Sequence, residues 1–348
     1  MCASYKQLVG IRYTEHPLTS HRHMELYFLG TSSGVPTKSR NVSATALLES
    51  KGKGWFLVDC GEATQHQLLH TPLSLNYLQA ICITHIHGDH CYGLPGLLAS
   101  AGMNNRKDPL TIIAPEGIKQ WFEATQAFTK LYLPFELHFI EVEQFDSIEI
   151  GQFTITATAL SHRVPSFAYC FEESTIRMYP DIDKLEQLNI PRGPIWGELV
   201  RGNDVEYQGQ TLMSKAFTKL AHPPRKAIIC GDNDTPEKLD SLIEGAHLLV
   251  HESTYSEAMK ERAGEVGHAY SSQVASYAQA KQVPSLILTH FSPRYQFSPE
   301  AEVSIEQIRK EAQTAYSGHL FLAHDLAHYR IDRAGLVEEV KDAEDKNE

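Results

Sequence analysis

An α/β layered domain is the fold class this sequence predicts. Three features carry the expectation: short β-branched or aromatic runs recur along the chain, helical patterns fall between them, and no internal repeat breaks the alternation. The strand-like runs are Glu25–Gly30, Trp55–Cys60, Ala80–Thr84, Thr111–Ala114 and Phe153–Leu160, then Lys226–Cys230, Leu248–His251, Ser285–His290 and His319–Ala323. Each is bounded by Gly, Pro or polar residues. The clearest helical stretches are Pro115–Leu131, Ser272–Lys281 and Pro299–Tyr316. A chain of 348 residues that is 42% hydrophobic can bury a substantial core.

Residues 1–23 have neither strand nor helix periodicity and read as a flexible, dispensable extension ahead of a main domain at 24–336. They also lack the apolar stretch of a secretory signal, and no run approaches the ~20 apolar residues of a membrane span, so a cytoplasmic protein with no membrane partner is expected. The six cysteines (Cys2, Cys60, Cys82, Cys91, Cys170 and Cys230) form no CxxC pair and fit reduced core thiols. Net charge is −12, which by itself disfavours a nucleic-acid partner. Part of that excess sits in 337–348, where six acids against Lys341 and Lys346 read as an acidic, disordered tail.

One stretch departs from the rhythm. Between residues 172 and 224 Pro, Gly and polar residues dominate, around the sequence NIPRGPIWGELVRG. A segment this long without a core-forming period is expected to be a protruding arm, with Ile195, Trp196, Leu199 and Val200 available for packing.

The strongest chemical signal is His85-Ile86-His87-Gly88-Asp89-His90, an HxHxDH motif directly after the run AICIT. Neutral imidazoles suit Zn²⁺, and a carboxylate adds a hard, charge-neutralising ligand. Isolated histidines mean little in a chain with 18 of them, but this ordered spacing behind a strand does. One loop cannot enclose two ions. Further ligands are expected where other apolar runs end abruptly in a polar residue: His162, Asp232 and His290.

HxHxDH followed by a His, an Asp and a His at successive strand ends resembles the metallo-β-lactamase superfamily. Within it, PTKSRN at 36–41 is similar to the PxKxRN motif of the ribonuclease Z family, which processes tRNA 3′ ends. FLGTSSGVPTKSRN, DCGEATQHQLL, THIHGDHCYGLPGLL, LTHFSPRY and PRGPIW extend the resemblance over Met24 to Arg330. It implies an αββα sandwich with two zinc ions at one edge, although Mn²⁺ or Fe²⁺ also suits His/Asp sites. His85, His87 and His162 would hold one ion, Asp89, His90 and His290 the other, and Asp232 would bridge them. Asp89 would also act as the base.

The same resemblance pairs Glu252, in HEST, with His268, in GHAY, as proton donor to the leaving oxygen. The family often has His-Ser-Thr at the second element, so the match there is partial, and Asn233 stands where Thr is common after the bridging Asp. Lys38, Arg40 and Asn41 have the chemistry to grip phosphates and a 3′ end, with Arg294 adding a phosphate contact and Tyr295 a stacking face. On the arm, Arg192 and Arg201 flank the Gly-Pro turn. Precursor tRNA is the implied substrate, and a homodimer the implied assembly. The alternatives are a hydrolase of this superfamily acting on a small phosphodiester, thioester or lactone, and a non-enzymatic protein whose metals are structural staples.

Overall fold

Alternation with period two splits each central strand between two cores. In Met24–Gly30, Met24, Leu26 and Phe28 join one cluster and Leu29 another; in Trp55–Val58, Phe56 and Val58 face one way and Trp55 and Leu57 the other. Strands that are apolar on both faces must be covered on both faces, which dictates layers.

The computed structural model describes residues 23–341. Its strands are β1 (Met24–Gly30), β2 (Ala44–Leu48), β3 (Trp55–Val58), β4 (Leu78–Cys82), β5 (Leu110–Ala114), β6 (Leu137–Glu141), β7 (Ser147–Ile150), β8 (Phe153–Ala159) and β9 (Phe167–Glu173). There follow β10 (Met178–Pro180), β11 (Val205–Tyr207), β12 (Gln210–Leu212), β13 (Thr218–Leu220), β14 (Lys226–Cys230), β15 (Leu248–Glu252), β16 (Ser285–Thr289), β17 (His319–Leu322), β18 (His328–Ile331) and β19 (Val337–Glu339). One sheet has the order β19-β18-β1-β2-β3-β4-β5-β6, the other β17-β16-β15-β14-β9-β8-β7.

The inner faces of the two sheets meet in a core that includes Phe28, Phe56, Phe153, Tyr169, Phe171, Ile229 and Val250. The helices Leu94–Met103 and Ile118–Thr129 cover the outer face of the first sheet through Leu97, Leu98 and Phe122. Ser271–Ala280 and Ile305–Ala315 cover that of the second through Val274, Ile308 and Ala312. The result is an αββα sandwich, as expected.

β3 to β6 run parallel, as do β14 to β17. Parallel neighbours bring their carboxyl ends to one edge, where α/β sheets place their ligands. Residues that follow β3, β4, β14 and β16 therefore converge although they are scattered in sequence.

Residues 174–225, between β9 and β14, carry the small pairs β10–β13 and β11–β12 and the helices Ile182–Gln187 and Pro194–Val200. Leu185, Ile190, Trp196, Leu199 and Leu212 give this segment a separate core of its own.

The acidic tail expected from residue 337 is corrected at its start. Val337–Glu339 form β19 and pair with Tyr329–Ile331, with Val337 buried. One apolar residue in an acidic stretch is enough to dock it on an open sheet edge. Residues 342–348, and the expected extension apart from His23, lie outside the described residues. Ending the chain at Leu336 is therefore expected to cost about 1.5–3 kcal/mol against a chain ending at Lys341, since full burial of Val337 is lost; urea unfolding of the two chains measures the difference.

Candidate metal centre

The HxHxDH segment leaves β4 beside the end of β3. Asp59, just past β3 and with positive φ (62°), accepts hydrogen bonds from Thr84 N (2.8 Å) and Thr84 Oγ1 (2.9 Å), and its Oδ2 lies 2.7 Å from His90 Nδ1. One buried carboxylate thus fixes the first turn of the motif and aims His90 Nε2 into the cleft. Gly231 lets the strand that delivers Asp232 approach this turn, because a Cβ there would sit 2.6 Å from Thr84 Cβ. His162 Nδ1 is 2.6 Å from the carbonyl oxygen of Gly267, whose φ of 74° turns it out of the helix Lys260–Val266.

These constraints bring all seven expected ligands together. His87 Nδ1 lies 3.1 Å from His85 Nε2 and 3.3 Å from His162 Nε2, and His90 Nε2 lies 3.2 Å from His290 Nε2. Two imidazole nitrogens held ~2.0–2.1 Å from one tetrahedral ion would be about 3.3 Å apart. A single proton on His87 Nδ1 cannot satisfy two neighbours, whereas a shared cation can.

Asp232 divides its oxygens between the groups. Oδ1 is 3.3 Å from His290 Nε2 and 3.5 Å from His90 Nε2, while Oδ2 is 3.6 Å from His85 Nε2 and 3.7 Å from His162 Nε2. Asp89 Oδ2 lies 3.4 and 3.5 Å from the same nitrogens of His90 and His290. Two of the donor groupings, His85, His87, His162 with Asp232 and Asp89, His90 with His290, have the chemistry and spacing that fit two divalent cations; a third, overlapping grouping joins Asp232 and His290 to His268, whose Nδ1 is 3.7 Å from Asp232 Oδ2.

The electrostatics of the cleft divide. Burial, then the neighbouring imidazoles of His90 and His162, push the His85 pKa well below its ordinary value, which favours the neutral ring a cation needs. Against burial, Asp89, Asp59 and Asp232 hold His90 well above its ordinary value, so a cation there would displace a proton. Burial opposes ionisation of Asp89, but His90 and His290 hold its carboxyl well below the usual range.

Glu252 and His268 meet beside these ligands, with Nδ1 3.0 Å from Oε1. Asn233 N donates to the same oxygen (2.8 Å), and Thr254 Oγ1 donates to the other. Burial works against the imidazolium of His268, yet Glu252 lifts its pKa to about 9. Asn233 is integrated into this network, since its Oδ1 also accepts from Ser161 N (3.1 Å), next to His162.

The expected substrate contacts separate. Lys38 is exposed on its loop, and Asn41 is half-buried with Nδ2 donating to the Glu62 carbonyl (2.8 Å). Arg40 is corrected: it is 2% exposed, donates from Nη1 to the Tyr295 carbonyl (2.6 Å) and lies 4.2 Å from the Phe297 ring centroid. Its apolar neighbours Phe291 and Phe297 draw it inward, so it braces the loop and is not presented to solvent. Tyr295 is corrected likewise. Buried, with its hydroxyl bonded to Ser256, it offers no stacking face.

Arg294 is exposed, 5.6 Å from the Tyr255 ring centroid. Arg192 and Arg201 are exposed on the arm and paired with Glu186 and Glu198. Exposed pairs are worth only ~0–1 kcal/mol, which leaves both guanidiniums exchangeable toward a phosphate.

Three supporting residues escape a reading of motifs. Asp59 carried the same signal as Asp232, a polar residue ending an apolar strand. Thr254 carried none. Asp325 also carried none, yet its carboxylate accepts from Thr31 Oγ1 (2.8 Å), Asn41 N and Gln67 Nε2 (3.0 Å), pinning both ends of the 31–41 loop. That loop in turn donates Gly34 N to Asp89 Oδ2 (2.7 Å).

With this geometry in place, relatives are informative. A Pseudomonas putida ribonuclease Z is 50% identical over 316 residues, covering 90% of this chain and 99% of the relative. The chain belongs to the ribonuclease Z family. A Bacillus subtilis ribonuclease Z is 37% identical over 89% of this chain and all of the relative. The family model for anti-Pycsar protein Apyc1 matches residues 24–182. Among solved structures, the short form of human tRNase Z superposes with a TM-score of 0.61 at 26% identity, covering 88% of this chain and 98% of that one. The metallo-β-lactamase fold protein YhfI of Bacillus subtilis shares the fold, with a TM-score of 0.59 at 19% identity over 88% of this chain and 99% of that one.

If Asp59 aims His90, Asp59→Ala is expected to weaken metal retention by about 10–100-fold. Titration with a competing chelator reads this directly, and retention within twofold of the unaltered protein would contradict it.

Proposed function

We propose that this member of the ribonuclease Z family is a two-zinc endoribonuclease that removes the 3′ trailer from precursor tRNA and leaves a tRNA 3′-hydroxyl. The observation that carries the reading is the split of the Asp232 carboxylate between two converging sets of donors. Family membership makes the chain an endoribonuclease and supports precursor tRNA as its substrate, and the His/Asp groups in the cleft support a dependence on metal. Zinc suits the imidazole-rich donors best; Mn²⁺ or Fe²⁺ would also be accepted.

In this reading His85, His87 and His162 would hold one ion, Asp89, His90 and His290 would hold the second, and Asp232 would serve both. When bound, such a pair lowers the pKa of a water nucleophile and neutralises charge on the phosphoryl group. Asp89 accepts the water proton at its carboxylate, kept ionised by the imidazoles around it. His268 presents Nε2 to the leaving oxygen, because Nδ1 is committed to Glu252. Glu252 holds the ring and stabilises the charged form of His268, whose proton donation would be worth about 10²–10⁴ in rate. Lys38 and Arg294 would contact phosphates near the cut, and Arg192 and Arg201 would contact RNA from the arm. Arg40 and Asn41 would serve by shaping the 31–41 loop.

A homodimer is part of the proposal. Met103, Phe128 and Tyr132, at 84%, 90% and 81% exposure, lie at or just past the carboxyl ends of the helices Leu94–Met103 and Ile118–Thr129, and a second copy would cover such exposed apolar side chains. A monomer in sedimentation equilibrium at micromolar concentration would refute that part. The cytoplasm is the proposed location; among the described residues no helix is long and apolar enough to cross a membrane.

Incubated with a precursor tRNA, the protein should make one cut at the trailer boundary, and stripping and restoring metal should abolish and return it. Asp89→Ala should reduce cleavage to background at saturating zinc while tRNA binding in a gel shift persists. Near-normal turnover in that variant would remove Asp89 from its role.

The arm gives a separate prediction. Between Glu172 and Lys226 eight basic residues face eight acids, so any grip must be local and salt-sensitive. Replacing residues 191–201 by a Gly/Ser linker is expected to raise KM for precursor tRNA about tenfold or more, while a small phosphodiester is still hydrolysed. Equal losses on both substrates would show instead that the segment only supports the fold.

A further inference from the structure

We infer that Arg225 and Glu173 form a clamp that fixes the direction of the arm, which makes Arg225 a positioning residue for long RNA substrates. The inference rests on the arm being an RNA-binding element.

The two residues stand at the root of the arm. Glu173 ends β9, where the chain leaves the second sheet, and Arg225 immediately precedes β14, where it returns. Above them sheet pairing resumes only at Met178–Leu220, and the main body holds the outgoing chain just one residue beyond Glu173, through Ser174 N to the Gln152 carbonyl (2.9 Å), so the clamp lies at the boundary of the main body. Arg225 Nε donates to Glu173 Oε2 (2.8 Å) and Nη2 to Oε1 (2.6 Å), a fork in which both side chains are almost fully buried. The backbones are tied as well, by Arg225 N to Glu173 Oε2 (3.1 Å) and Glu173 N to the Arg225 carbonyl (3.0 Å).

The third arm of the guanidinium reaches the other sheet. Nη1 donates to the carbonyl of Ile331, the last residue of β18 (2.8 Å). One side chain therefore bonds the outgoing strand, the returning strand and the opposite sheet. Pro223 and Pro224 lead into it and restrict the returning backbone.

Burying such a pair is a poor way to gain stability, because desolvation offsets most of the attraction and apolar residues would do as well. What a forked, planar group adds is direction. Lysine, a point charge on a flexible stem, cannot reproduce three fixed bonds. A separate core in the arm and a rigid joint at its root together let the arm act as a lever held at one angle to the cleft.

The test uses Arg225→Lys and the double variant Glu173→Gln with Arg225→Met, in the metal-loaded full chain. KM and kcat are measured with precursor tRNA and with a small chromogenic phosphodiester, alongside the melting temperature. The expected result is a rise of about tenfold in KM for precursor tRNA, with kcat for both substrates and KM for the small one within about twofold. Should Arg225→Lys fail to fold, the double variant decides, since it removes both charges. Replacement of residues 191–201 is run in parallel. If that replacement raises KM for tRNA and the clamp variants do not, the clamp inference is overturned and the arm reading stands. If the replacement leaves KM unchanged, the arm reading falls and takes the clamp with it. If the clamp variants lose both substrates equally, Arg225 is merely structural and the inference is wrong.

Discussion

Everything at the cleft depends on one buried carboxylate facing two ways. Asp232 keeps each oxygen within 3.3–3.7 Å of imidazole nitrogens from a different donor set. This is possible only because β14 ends next to β15 and β16 in one sheet, while β3 and β4 end beside each other in the second. Parallel pairing sets the edge, period-two patterning presses the sheets together, and residues 59 to 290 meet within one cleft. The expected ligands are in turn held by residues outside the expected ligand set: Asp59 on His90, Gly267 on His162, and Thr254 on His290. His290 itself takes a positive φ of 57°, a strained conformation that persists only where its surroundings over-determine it.

Charge was the feature that pointed away from RNA. With a net charge of −12, recognition cannot come from a broadly basic surface. The acids divide into kinds with different consequences. Asp59, Asp89, Asp232 and Glu252 are drawn into the cleft, where each lies against one or more imidazoles. On the arm, Glu186 and Glu198 partner Arg192 and Arg201 and balance their charge. If the arm binds RNA as proposed, exchanging weak ion pairs for phosphate contacts would favour positioning over tenacity.

The convergence of the expected ligands was legible in the sequence because they end apolar runs. HxHxDH, His162, Asp232 and His290 all follow that pattern, and β14 begins and ends where its residues imply. β2, β6, β7, β9 and β18 were not picked out, and neither was the helix Leu94–Met103. These include edge and partly buried strands such as Leu137–Glu141 and Ser147–Ile150, whose apolar content is diluted by Glu, His and Ser. Arg40 misled for a physical reason. A motif advertises a cation, but two nearby phenylalanines bury it, and no local pattern encodes a contact 255 residues away. Asp325 was invisible for the same cause, since its partners are Thr31, Asn41 and Gln67.

The claim at the centre of this account is that Asp232 bridges two cations. Anomalous scattering from crystals grown with zinc, collected at the zinc edge, tests it most directly. The account predicts two peaks about 3.5–4 Å apart, one beside His85, His87 and His162 and one beside Asp89, His90 and His290, with Asp232 in contact with both. A single peak, or two peaks of which Asp232 touches only one, would contradict it.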